Sequence, residues 1–392
     1  MKENAANRDI VIFIGAGFSH GAHLPLMSEF GHKAKKDRDG LTEHASAPMS
    51  SRRFRYAAPM LLDAARTFER FQKFLMGTVT LMNSDVNDLE TVFCIAEALS
   101  ESDQRTINID GQPYSLDQVI SDIQMWLWKV YQQLPILNSS KHEDSKQYAL
   151  FFELLKENNI VQRTTVLSTN YDLVYEYFSW KHGLPCAYPI SWDKQFVAGH
   201  GSEPYIYQGD SRHEKTILCK LHGSVNYFEN HNVNDEKLYV ACDLGNEIPI
   251  GNSGVWRGKP ALFAVDAIWN IRKKYGNGFT PAIIPPSYAK LGRRPWLRAI
   301  WNAALEALKN AKAIIFIGYS FPYSDGFMRA LLHGAMSQRM RNLPLEVYVV
   351  DKSDKTLCRY EELFGPTLKG LREPQTFDQA INGELRQIME KS

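Results

Sequence analysis

Val11-Ile12-Phe13-Ile14-Gly15-Ala16-Gly17-Phe18-Ser19 decides the fold. Four consecutive apolar residues, mostly β-branched or aromatic, read as a buried strand. Two glycines bracket an alanine where that strand ends, and Ser19 stands where a helix can start. A turn this lean lets backbone come close to a phosphate, and helix-start N–H groups favour negative charge. Gly-Ala-Gly after a strand also occurs as a plain tight turn, so this stretch alone leaves both readings open.

Four later segments repeat the pattern. Thr164-Thr165-Val166-Leu167-Ser168 is a buried strand ending in Thr169-Asn170-Tyr171-Asp172, with a helix expected from about Asp172. Thr216 to Leu221 is a strand ending in His222-Gly223-Ser224. Ala313 to Ile317 ends in Gly318-Tyr319-Ser320, and Leu345 to Val350 is closed by Asp351. Helices are expected from Pro295 to about Asn310, over 325–333, and at roughly 354–364 and 376–390. Strands alternating with helices predict an α/β fold, a Rossmann-like and mostly parallel sheet with helices on both faces. Functional groups in such sheets gather beyond the carboxyl ends of the strands. Five small or polar endings that could face one crevice predict a site there. Asp351 suits a ribose hydroxyl or an adenine amino group, and the Gly318/Ser320 turn can approach phosphate or ribose.

Between the first two strands the pattern changes. Residues 31–55 are polar and basic, which fits a solvated loop better than a nucleic-acid patch, since acidic residues interrupt the run. Residues 56–158 read as helical throughout, with stripes such as Leu61, Ala64, Ala65, Phe68, Phe71 and Leu75. Ser115 with Gln118 has the form of a capping box. None of these stripes carries a catalytic cluster. The expected division is a Rossmann-like domain over 1–30 and 159–392, with a mainly helical insertion over 31–158. Segment 225–290 is mixed, with short strands such as Lys237 to Ala241.

The chain has 392 residues and a net charge of +1, so no global field draws it to nucleic acid or anionic membrane. Its 5 cysteines are scattered without a Cys-x-x-Cys pair, which argues against a zinc knuckle and for reduced thiols. No run reaches the ~18 apolar residues of a membrane span, and the N-terminus lacks an apolar signal region. A cytoplasmic protein is expected.

Gly15-Ala16-Gly17-x-Ser19, Thr169-Asn170-x-Asp172, Leu221-His222-Gly223 and Ile317-Gly318-Tyr319-Ser320 follow in the motif order of the sirtuin superfamily. More narrowly, the chain resembles the zinc-less, sirtuin-like NAD-cleaving effectors of bacterial anti-phage defence. The resemblance covers residues 9–25, 160–224 and 282–360. It implies that Gly15, Ala16, Gly17 and Ser19 cradle the NAD pyrophosphate, with Thr169 beside them. It further implies that Asn170 and His222 are catalytic, that Asp172 meets the nicotinamide amide, and that Gly318 and Ser320 form the far phosphate/ribose turn. Asp351 is a looser match. His23 could touch a ligand, although a loop histidine facing solvent is the plainer reading.

Two departures matter. The deacylases of this superfamily carry a four-cysteine zinc ribbon after the His-Gly motif, and an Asp-Phe-Arg segment after the first loop. This chain has neither, with Leu26-Met27-Ser28 following Pro25. Both departures weaken deacylation and leave cleavage of NAD untouched. The expected function is therefore NAD+ hydrolysis to nicotinamide and ADP-ribose, with NAD as substrate and no metal. The alternatives are a non-catalytic NAD or ADP-ribose sensor, an ADP-ribosyltransferase or deacylase, and an ordinary nucleotide-binding oxidoreductase. The last is disfavoured by the absence of a full Gly-x-Gly-x-x-Gly. A free NAD hydrolase harms its own cell, so control is expected from homo-oligomerisation, a separate partner, or both. By resemblance that partner is a DNA-translocating ATPase of the HerA type, with a short Argonaute as the other choice.

Overall fold

The computed structural model describes residues 8–22, 24, 52–78, 89–102, 105–131, 146–184, 186–190, 206–208, 215–230, 238–240, 278–285, 294–322, 325–340, 343–369 and 373–391. Strand β1 (Ile10–Ile14) runs into a short helix α1 (Ala16–His20). Helices α2 (Arg52–Thr78) and α3 (Leu89–Glu101) follow, then strands β2 (Thr106–Ile109) and β3 (Gln112–Ser115). Helices α4 (Leu116–Tyr131) and α5 (Lys146–Glu157) lead to β4 (Thr164–Ser168) and α6 (Val174–Lys181). Strands β5 (Cys186–Tyr188), β6 (Ile206–Gln208), β7 (Thr216–Lys220), β8 (Gly223–Asn230), β9 (Tyr239–Val240) and β10 (Phe279–Ile283) come next. The chain then alternates α7 (Pro295–Asn310), β11 (Ala313–Ile317), α8 (Gly326–Gln338), β12 (Glu346–Val350) and α9 (Asp354–Phe364). It closes on α10 (Phe377–Asn382) and α11 (Glu384–Lys391).

Seven strands form one parallel sheet in the order β12-β11-β1-β4-β7-β5-β6. The five strands expected from sequence are its five consecutive members from β12 to β7. β1 is central because every residue of Ile-Val-Ile-Phe-Ile is buried. Each such side chain contributes about 1.5–3 kcal/mol when removed from water, so no edge position would repay this composition. Its register is in step with both neighbours: Ile14 lies opposite Ile317 on one side and Ser168 on the other. The polar ends of β1, β4 and β11 are therefore level with one another. The chain winds outward from β1 through β4, and later returns to β1 at β11. This reversal makes a topological switch point at the β1/β11 edge, where open α/β sheets leave a crevice.

A smaller antiparallel sheet, β10-β8-β9, stands beside the main one. Helix α4 packs against β10, and α2 and α3 pack against α4. Two buried polar tethers fix that contact. Gln124 Nε2 donates to the Ile283 carbonyl at 2.9 Å, and Trp128 Nε1 donates to the Val225 carbonyl at 2.9 Å. Helix α5 instead packs against α6, α10 and α11.

The expectation of helix throughout 56–158 is corrected by the β2/β3 hairpin. Ile107 and Ile109 alternate with exposed Thr106 and Asn108, and Asp110-Gly111 turns the chain with φ of 51° and 78°. Asp-Gly between alternating residues is a strong hairpin signal, and positive φ at both positions gives a turn whose twist matches that of the strands. The helix expected over 376–390 is two helices, interrupted at Gly383. At the other end of α4, the Gln118 side-chain amide donates to Asp122 Oδ1 at 2.8 Å. Of the basic stretch 31–55, residues 31–51 lie outside the described residues, as do His23 and Cys242, while Arg52, Arg53 and Arg55 correct the loop expectation by opening helix α2. No described helix is long and apolar enough to cross a membrane.

Candidate functional site

A cavity of about 600 Å³ opens at the carboxyl ends of β1, β4, β11 and β12. Of the residues singled out in the sequence, Ala16, Gly17, Ser19, Thr169, Asn170, Asp172, Gly318, Ser320 and Asp351 line it. Gly15 and His222 are not among its lining residues. The volume is in the ordinary range of small-molecule sites.

The glycines have a clear physical cause. A Cβ on Gly15 would sit 2.6 Å from the Gly318 carbonyl, and one on Gly17 would sit 2.7 Å from the Gly318 Cα. Gly318 itself has φ of 62°, and a Cβ there would lie 2.4 Å from the Phe18 nitrogen. The turns after β1 and β11 thus pack backbone on backbone. Gly17 N–H donates to the Gly318 carbonyl at 2.8 Å, and Gly15 N–H donates to the Ile317 carbonyl at 3.0 Å. Both readings of Gly-Ala-Gly hold in part. The loop is a tight packing turn, and its Ala16, Gly17 and Ser19 also form cavity wall.

Asn170 follows β4 and reaches across to that loop. Its Nδ2 donates to the Gly15 carbonyl at 2.8 Å and to Ser19 Oγ at 2.9 Å. A carbonyl can only accept, so the nitrogen must face Gly15, and the amide is oriented. Both N–H groups are used inside the protein, and Oδ1 is the atom left for a ligand. Ser19 in turn donates toward Asp172. Asp172 Oδ1 also accepts the Val174 N–H at 2.9 Å, an Asx turn that starts α6.

Beneath Asp172 lies a buried charge cluster. Lys220 Nζ donates to the Asp172 backbone carbonyl and stands 3.4 Å from Glu176 Oε1. Tyr188 Oη donates to the same Oε1 at 2.9 Å, and Asn226 Nδ2 donates to Tyr188 Oη at 3.1 Å. Glu176 Oε2 has no hydrogen-bond partner. Burial pushes the Asp172 and Glu176 carboxyls up, and the Lys220 ammonium opposes the shift in both without cancelling it. One buried cation thus serves two buried carboxyls.

His222 follows β7 and is 2% exposed. Its Nε2 lies 3.2 Å from Asp325 Oδ2, and Tyr319 Oη lies 2.8 Å from that same oxygen. Tyr319 lines the cavity, so Asp325 stands between the cavity wall and the imidazole. At the far end, burial raises the Asp351 carboxyl, while the Ser353 N–H at 2.9 Å and the Thr356 side chain oppose the rise. The Asp351 carbonyl accepts the Gln375 N–H at 2.8 Å, and Arg359 holds the Ser320 carbonyl at 2.8 Å.

Several wall residues were not singled out from sequence. Tyr319, Lys352, Lys355 and Arg359 come from the β11 and β12 ends, and Gln375 to Asp378 arrive from the C-terminal segment. The one signal for that segment is the capping box Thr376-x-x-Gln379, present in full at α10. Among the described residues no group of three or more His, Cys, Asp or Glu side chains could hold a metal ion.

Fold and site together define an α/β protein with a Rossmann-like parallel sheet and a cavity at its switch point. No protein-family profile matches the chain, and no curated protein matches it. Among solved structures it is similar to a Sir2 variant with deacetylated p53 peptide and 3'-O-acetyl ADP-ribose, at TM-score 0.42 and 11% identity over 98% of this chain and 94% of that one. It is also similar to a Sir2 homologue mutant in complex with ADP-ribose, at TM-score 0.41 and 10% identity over 100% and 97% of the two chains. A Sir2–p53 peptide–NAD+ complex matches at TM-score 0.37 and 12% identity, over 98% and 93%. Likeness of this degree does not assign an activity.

Proposed function

We propose that this chain is an NAD+ hydrolase that cleaves the nicotinamide–ribose bond. The observation that carries the reading is the oriented Asn170 amide on the wall of the cavity, with Oδ1 left as acceptor. In the reaction the C1′–N bond breaks, its electron pair neutralises the pyridinium, and nicotinamide leaves. A water oxygen bonds to C1′ and gives one proton to the protein, so NAD+ and water yield nicotinamide, ADP-ribose and a proton. Asn170 Oδ1 accepts a hydrogen bond from that water or from a ribose hydroxyl. His222 takes the proton as an imidazole general base. Asp172 accepts from the nicotinamide carboxamide. The Gly17/Gly318 turn pair gives the dinucleotide backbone a wall without side chains, and Asp351 meets the distal ribose. Positioning supplies much of the rate.

As a defence effector the chain would act in a homo-oligomer and with a separate partner of the HerA-like ATPase kind. The division into 1–30 with 159–392 and an insertion over 31–158 belongs to the same proposal, the insertion offering the partner surface. A second reading has one observation in its favour. His222 is buried and outside the cavity lining, as it would be in a module that holds NAD or ADP-ribose without cleaving it. Incubation with NAD+, followed by chromatography of nicotinamide and ADP-ribose, separates the two. Release by wild type and loss in His222→Ala supports hydrolysis. Binding without release, with and without the ATPase, supports the sensor. No binding ends both.

A further inference from the structure

Gly21 caps α1 with φ of −63° and ψ of −16°, a conformation open to ordinary residues. The backbone there does not call for glycine, but the space does. A Cβ would overlap Gln147 Nε2 and lie 3.2 Å from Tyr148 Oη. The missing side chain lets the first turn of α5 close on the loop after β1, and Tyr148 Oη seals the contact by donating to the Phe18 carbonyl at 2.6 Å. This contact carries Gln147 to the cavity wall. Gln147 is 8% exposed, and its amide makes no hydrogen bond to any described residue. A carboxamide held this deep is costly unless a ligand or water pairs it.

Its neighbours define the ligand group it meets. Gly21 stands two residues beyond Ser19, and Ser19 links Asn170 to Asp172. Gln147 thus shares the Asp172 end of the cavity, where the proposed function puts the nicotinamide carboxamide. That group has N–H to give and a carbonyl oxygen to be paired. Asp172 takes an N–H, and the carbonyl needs a donor. The three side chains given roles at this end have none to spare. Both Asn170 N–H groups go to Gly15 and Ser19, the Ser19 hydroxyl donates to Asp172, and a carboxylate only accepts. The two hydrogens on Gln147 Nε2 are uncommitted.

We infer that Gln147 is a substrate-recognition residue, donating from Nε2 to the carbonyl oxygen of the leaving carboxamide. The inference rests on the hydrolase reading above. It adds a substrate contact from the helical stretch 31–158, to which that reading gives only a partner surface. As the C1′–N bond breaks, its electron pair enters the ring and the carbonyl oxygen gains electron density. A donor there binds the transition state more tightly than the ground state.

The test uses the full chain, the variant Gln147→Met, which keeps the length and removes both N–H groups, and three nucleotides. NAD+ offers carbonyl and N–H. Its thionicotinamide analogue replaces the carbonyl oxygen by sulfur, a weak acceptor. Its 3-acetylpyridine analogue keeps the carbonyl and lacks the N–H. Preference for NAD+ over the thio analogue in kcat/KM should fall about 5- to 10-fold in the methionine variant, as the loss of one hydrogen bond predicts. Preference over the acetylpyridine analogue, which reports on Asp172, should not move. An unchanged thio preference overturns the inference. Equal falls in both preferences overturn it too, since a distorted pocket would produce them. If wild type binds the nucleotides without cleaving them, the hydrolase reading fails separately, and the same two ratios taken from dissociation constants decide the role of Gln147. Wild type that binds none of the three ends both. If the methionine variant does not fold, Gln147→Glu, of equal size and without an N–H, is read in the same way.

Discussion

Asn170 Nδ2 donates to the Gly15 carbonyl at 2.8 Å, tying the end of β4 to the end of β1 across 155 positions of sequence. One side chain therefore orients its own amide and fixes the loop that walls the cavity. Asn170→Ala should remove both. Loss of the donor leaves the Gly15 carbonyl only the Phe18 N–H at 3.0 Å, and a lost hydrogen bond of this kind costs about 0.5–1.5 kcal/mol of stability. Loss of the acceptor should lower kcat for nicotinamide release by about 10²–10³-fold, in the range of a lost preorganised polar group. Asn170→Asp should be less stable than Asn170→Ala, because a carboxylate faces the Gly15 carbonyl with no hydrogen to offer. Thermal melts and nicotinamide release measure the two effects, and a folded alanine variant with full turnover removes Asn170 from the mechanism.

Gly318 should be the least replaceable glycine of the site. Its φ of 62° already disfavours any other L-residue, and a Cβ would meet backbone atoms of Gly17 and Phe18 at 2.4 to 2.5 Å. Neither neighbour is a flexible side chain that could give way. Gly318→Ala should lose about 3 kcal/mol or more, since backbone strain and overpacking each cost about 1–3 kcal/mol. Gly111→Ala is the control. It has a φ of 78° but nothing within 4 Å, so only the strain remains. Denaturant midpoints of the two variants should differ clearly, and equal midpoints would show that the turn packing is slack.

The parallel core was legible because β1 and β11 are unbroken apolar runs, and β4, β7 and β12 are rich in β-branched and apolar residues, all ending in small or polar residues. Burial on both faces of the central strands leaves no other use for such runs. Their level ends were also implied, since parallel strands fed from one side finish on one side. The β2/β3 hairpin was missed although Asp110-Gly111 announces it, because apolar stripes on either side masked four-residue strands of weak alternation. Asp325, Lys220 and Glu176 were invisible as site residues for another reason. Each looks ordinary in its own element, as a cap, a strand residue and a helix residue. Only the fold brings Asp325 to His222 over 103 positions, and Lys220 to the Asp172 carbonyl over 48.

Lys220 should be far costlier to lose than a surface lysine. It is 1% exposed and stands between the Asp172 carbonyl and Glu176, which is fully buried. Lys220→Met leaves two buried carboxyls without a cation, and breaking a buried pair from one side costs about 3–5 kcal/mol. Adding Glu176→Gln removes the charge that Lys220 neutralised, so the double variant should recover much of the loss. A double-mutant cycle by denaturant unfolding measures the coupling. Additive single-site effects would mean that Lys220 and Glu176 do not interact.

Two sets of carboxyls give opposite responses to pH. Asp172 and Glu176 have raised values, so stability is lost progressively as pH rises from the unfolded towards the folded values, and wild type should be least favoured relative to Glu176→Gln above the folded ones. Asp9 behaves in reverse. Burial pushes it up, but hydrogen bonds and charge from Arg163 and Lys312 outweigh burial and hold it below its ordinary value. Arg163 Nε stands 2.8 Å from Asp9 Oδ1 and Lys312 Nζ 3.0 Å from Oδ2, clamping the starts of β1, β4 and β11. A depressed carboxylate adds stability that is complete above its unfolded value of about 3.9 and fades as pH falls through the folded one. Both cations are partly exposed, so solvent and salt screen the gain. Wild type should therefore lose more stability than Asp9→Asn between about pH 5 and pH 3, and the gap should shrink in high salt. Parallel acid titrations of unfolding free energy test this, and identical slopes would show that the clamp contributes nothing by charge.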